Sequence, residues 1–114
     1  MTTTAYRIQQ GYHDLDLLLD PECQYSSPWN GDEGLIRHGI SACWSVEELA
    51  EYFAQVGIPL DDDCRLVEME CELSDDVDVD AHLGAILVIP TRIVSANLIT
   101  DDFYTLVGDA YDRI

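Results

Sequence analysis

From Arg65 to Leu73 the residues alternate, with Val67, Met69, Cys71 and Leu73 on one side and Leu66, Glu68, Glu70 and Glu72 on the other. Only extended chain repeats every two residues, so the segment reads as a half-buried strand with an acidic outer row. Ala85 to Ile89 and Arg92 to Ile99 are rich in Ile, Val and Leu and read as two more strands, separated by Pro90-Thr91. Such short spacing fits antiparallel pairing.

Helices flank these strands. Ser45 is an N-cap with Glu48 three residues on, and Val46, Leu49, Ala50, Phe53 and Val56 recur at helical spacing. Gly57 ends that helix and Pro59 prevents its continuation. A terminal helix follows from Asp101 to about Tyr111, capped by Thr100, with Phe103, Leu106, Val107 and Ala110 as its apolar stripe. His13 to Leu19 reads as a short helix held by its leucines and stopped by Pro21. Gln24 to Gly39 concentrates Ser, Pro, Asn and Gly and reads as an irregular loop. Trp29 sits in this loop, either folded back onto the core or offered as a contact. The sum is an α+β fold: an antiparallel sheet of three or more strands with helices packed on one face. With no repeat, linker or low-complexity segment, residues 1–114 read as a single compact domain.

Charge is the extreme feature of the composition. Against 23 Asp and Glu stand five Arg and no Lys, a formal charge of −18. Such a field repels nucleic acid and anionic lipid, so direct binding to either is excluded as a function class. No apolar run reaches the roughly 18 to 20 residues of a membrane span, and Met1 to Gln10 holds no apolar signal core, so the expected location is the cytoplasm. Cys23, Cys43, Cys64 and Cys71 include no close Cys-x-x-Cys pair and read as reduced, packed thiols.

The acidic row has a specific chemical meaning. Alternate strand residues project about 6.5 to 7 Å apart, comparable to successive phosphates of a nucleic-acid strand. Glu68, Glu70 and Glu72, extended by Asp61, Asp62, Asp63, Asp75, Asp76, Asp78 and Asp80, would present an anionic stripe to a groove built for DNA or RNA. Trp29, Trp44 or Tyr25 would add short-range fit. The expected function is that of a non-enzymatic acidic binding or inhibitor protein, a nucleic-acid mimic occupying a basic surface of a nuclease or nucleic-acid-binding complex. By analogy of charge and size alone, this is how anti-CRISPR, anti-restriction and nuclease-immunity proteins of phages and mobile elements work. The plainer alternative is an acidic accessory domain whose carboxylates only solvate the surface and discourage edge aggregation.

Other chemistries fit less well. Asp76, Asp78 and Asp80 match the first alternating ligands of a calcium loop, but its sixth position is Ala81 and its twelfth Leu87, where Gly and Glu are needed. His13, His38 and His82 form no zinc-type pattern with the cysteines, so neither a metal nor a cofactor is expected. Tyr6-Arg7 on a first strand, Gly39-Ile40-Ser41, and Ser45 opening a helix resemble the motif order of small ADP-ribosyltransferase-type domains. That resemblance implies transfer chemistry on NAD. Such domains carry a catalytic Glu shortly before a late Pro-containing turn, whereas Gly84 to Pro90 holds no carboxylate, which implies a degenerate member. If that reading holds, one pocket gathers Arg7, His38, Ser41 and a carboxylate.

Overall fold

The structure is a computed structural model that describes residues 2–9, 15–26, 37–57, 60, 62–78 and 80–113. Strand β1 (Thr3–Gln9) is followed by two 3-10 turns, Leu15–Leu19 and Pro21–Cys23, and by short strands β2 (Tyr25–Ser26), β3 (Arg37–His38) and β4 (Ile40–Ala42). Helix α1 (Val46–Val56), β5 (Arg65–Leu73), a 3-10 turn (Ala81–Leu83), β6 (Ile86–Leu98) and α2 (Asp101–Asp112) complete the order. The main sheet runs β1-β5-β6-β4 with every pair antiparallel, and β2 pairs with β3 apart from it. The α+β reading therefore holds.

The outer strands of this sheet also touch each other. Just past β4, Cys43 exchanges two backbone bonds with Tyr6 of β1, at 2.9 and 2.8 Å. The alternation of β1, β4 and β5 divides two apolar clusters between the faces. On one face Ile8, Cys43, Cys64 and Ala85 meet Leu49, Phe53 and Phe103 from the two helices. Phe53 and Phe103 pack edge to face, 6.4 Å between centroids, the arrangement that ring quadrupoles favour. On the other face Ala5, Ile40, Ala42, Val67, Met69, Cys71 and Val88 pack with Leu18 of the first 3-10 turn. Gln24 fastens that turn region to the sheet, its Nε2 donating to the carbonyls of Leu18 at 2.8 Å and Pro90 at 3.0 Å.

Five details differ from the sequence reading. Ala85 to Ile99 is not two strands but one: β6 runs through Pro90, and its pairing with β5 skips Val94 and Thr91. Bulges of this kind absorb a proline that cannot donate to the ladder, and here the Thr91 hydroxyl donates to the Glu70 carbonyl at 3.2 Å. Helix α1 has the expected limits and cap, Ser45 Oγ accepting from Glu48 N at 3.1 Å. Its inner face holds Tyr52 and Ala54, while Val56, the last residue before the Gly57 cap, is exposed. Leu73 ends its strand beyond the core and is 57 % exposed. Thr100 stands at the N-cap of α2 without a side-chain bond. The expected helix over His13 to Leu19 is a 3-10 turn over Leu15–Leu19, and Trp29 lies outside the described residues.

Candidate partner-binding surface

Glu68, Glu70 and Glu72 project from the same side of β5, as alternation requires. Leu66 precedes them on that side and packs with the helix-covered cluster, so the helices shelter one end of the face and leave the glutamates in the open part. The row is not uniformly free. Tyr6 lies across from Glu68, and its phenol is held above its ordinary pKa first by burial, then by hydrogen bonding and charge from Glu68. Glu70 accepts a two-point bond from Arg92 on β6, at 2.8 and 3.1 Å, which holds its carboxyl below the usual range. Glu72 is exposed opposite Ile89.

Past the strand, the chain turns back over the sheet. The Ser74 hydroxyl donates to the His38 carbonyl and accepts from Asp76 N, while Asp76 accepts from His38 N at 2.7 Å. His38 in turn lies against the Tyr25 ring, 5.1 Å between centroids. Exposed Asp75 and Asp76 thus sit beside Tyr25, Leu73 and Val77, the last 67 % exposed. Leu73 and Val77 were not legible as contact residues, because an apolar residue in or beside an alternating strand signals core by default.

Asp78 and Asp80 serve the interior instead. Asp78 is 6 % exposed, accepts from Ser41 Oγ at 2.5 Å, and accepts from Asp80 N at 2.8 Å. Asp80 accepts from the Tyr52 hydroxyl at 2.6 Å, and burial followed by this bond pushes the Tyr52 phenol up. The two carboxylates latch the 74–84 connection to β4 and α1, and they are not part of a solvent-facing stripe. Asp62 and Asp63 are exposed but precede β5, so roughly 30 Å of strand separates them from Asp75. Asp61 lies outside the described residues.

The transferase-type grouping does not form as a pocket. Arg7 Nη1 donates to the Ser41 carbonyl at 3.0 Å, yet the two side chains leave opposite faces. Arg7 lies between Tyr6 and Ile8 of the helix-side cluster, whereas Ser41 lies between Ile40 and Ala42 of the other. The His38 ring is engaged with Tyr25. Among the described residues no three His, Cys, Asp or Glu side chains converge as a metal site requires. No described helix is long and apolar enough to cross a membrane. Comparison with protein-family models, with curated proteins and with solved structures gives no match.

Proposed function

We propose that this chain is an acidic binding protein that occupies a basic, nucleic-acid-handling surface of another protein. The observation that supports the reading is the row of Glu68, Glu70 and Glu72 on one side of β5, followed along the chain by exposed Asp75 and Asp76 in the next turn, where Leu73, Val77 and Tyr25 are also exposed. Carboxylates at strand spacing steer and register an arginine-rich groove, and apolar groups at their end supply contact that excludes water. Arg92 already shows how a guanidinium sits on this row, with two parallel bonds to Glu70.

The test uses the triple variant Glu68→Gln, Glu70→Gln, Glu72→Gln, which keeps side-chain shape and removes three charges. Wild-type protein immobilised at low salt is expected to hold a nucleic-acid-binding protein that the variant releases, with retention falling steeply as salt rises. Equal retention by both, with the variant shown to be folded by circular dichroism, rejects the docking face.

A further inference from the structure

In a chain with 23 Asp and Glu, the longest stretch without either runs from Ala81 to Thr100. That stretch holds β6, and β4 pairs with β6 only from Ile86 to Val88. Just beyond, the Gln24 amide occupies the Pro90 carbonyl. From there to Leu98, among the described residues, no strand lies along the edge of β6 that faces away from β5. An open edge templates pairing with another chain, and folded proteins blunt it with prolines, charges or bulges. Pro90, Arg92 and the bulge at Val94 blunt the first half of this one. Ser95 to Leu98 carries none of these devices, and Val94 and Leu98 beside it are 40 % and 54 % exposed.

We infer that this edge takes up an extended segment of a partner protein in which apolar and basic residues alternate. A strand added to a sheet keeps the alternation of its neighbour, its backbone giving affinity and its side chains specificity. On one face of β6, Ile93 and Ala96 pack with the apolar cluster, and Leu98 continues their row into solvent. Apolar side chains of the segment extend that row. On the other face stand Ser95 and Asn97, with Glu68 directly behind Ser95 on β5. Two strand spacings are roughly 10 Å, a gap that a Lys or Arg and a Glu close between them. The segment thus meets the glutamate row from the side while its backbone pairs with β6. A second copy of this chain fits less well, because it brings a further charge of −18 and no Lys. The preference for basic residues rests on the glutamate row being a face for cations, whereas the backbone pairing does not.

The probe is a short synthetic peptide alternating valine and lysine, with binding followed by fluorescence anisotropy. Its controls are the same residues in block order and the alternating sequence N-methylated on both of its edges. The alternating peptide is expected to bind at least tenfold more tightly than either control and to slow hydrogen exchange of amides within Ser95 to Leu98. Val94→Ser with Leu98→Ser, both at exposed positions, is expected to weaken binding several-fold; should that variant fail to fold, the peptide controls still decide. Equal binding of the block or the N-methylated peptide, or unchanged exchange along Ser95 to Leu98, overturns the edge. Where order and free amides matter but the triple glutamine variant binds as tightly as wild type, the edge stands and the glutamate reading fails. Sedimentation of the protein alone supplies the last outcome: a dimer that the serine variant loses makes a second copy the occupant and overturns the inference.

Discussion

Single residues show where the acidic surplus is spent. Arg92 occupies the middle of the glutamate row, and its two bonds to Glu70 make it an internal competitor for any incoming guanidinium. Arg92→Gln is therefore expected to tighten binding of a basic partner several-fold, measured by titration at low salt, and weaker binding would place the docking face elsewhere. The thiols carry a second expectation. Burial pushes Cys43 up to about 12 and Cys71 up to about 11, so the folded state keeps both protonated. For an acid whose folded pKa is raised, the stabilising contribution is complete below the unfolded value and is lost as pH climbs through the folded one. Stability is thus expected to fall from about pH 9 upward, with denaturant midpoints across pH as the check. Of the four thiols only Cys23 is exposed, so native protein should take up one equivalent of maleimide and unfolded protein four. The row itself was legible from alternation, and the spending of Asp78 and Asp80 on Ser41 and Tyr52 was not. Those partners lie 37 and 28 residues away, beyond any local pattern.

Elements were legible in proportion to how local their causes are. Helix α1 follows from its cap, its 3.6-residue stripe and a glycine at φ 74°, all readable within one stretch of chain. The continuity of β6 was not readable, because Pro90 normally interrupts a strand, and the bulges at Thr91 and Val94 that accommodate it are defined only by pairing with the distant β5. The 74–84 connection depends on contacts with three separate elements. Tyr52→Phe is expected to cost about 1 to 2 kcal/mol by freeing Asp80 from α1, measured by urea unfolding, and no change would mean that the latch carries no load. Gly39 fixes the other side of this turn: φ is 117°, and a Cβ there would lie 3.1 Å from both Leu87 Cβ and Ser74 Cβ. Gly39→Ala is expected to destabilise by roughly 1 to 3 kcal/mol, with the same measurement deciding.

At the scale of the molecule, a charge of −18 is held within a Cα radius of gyration of 13.6 Å, while the Debye length at 0.1 M salt is about 10 Å. Most carboxylates therefore feel one another at low ionic strength, and self-repulsion weakens the folded state. Moderate sodium chloride is expected to raise Tm, and a monotonic fall would show that specific ion pairs outweigh repulsion. Composition made this balance readable from the start, whereas the division of the sheet into a helix-covered end and an open acidic end required the three-dimensional packing. The most direct measurement of the whole account compares wild type with the triple glutamine variant as baits in one lysate at low salt, with the captured proteins identified by mass spectrometry. The account predicts that wild type holds a nucleic-acid-binding protein which the variant loses and which added salt releases. Two baits that capture the same set, or a wild type that holds no nucleic-acid-binding protein, would contradict it.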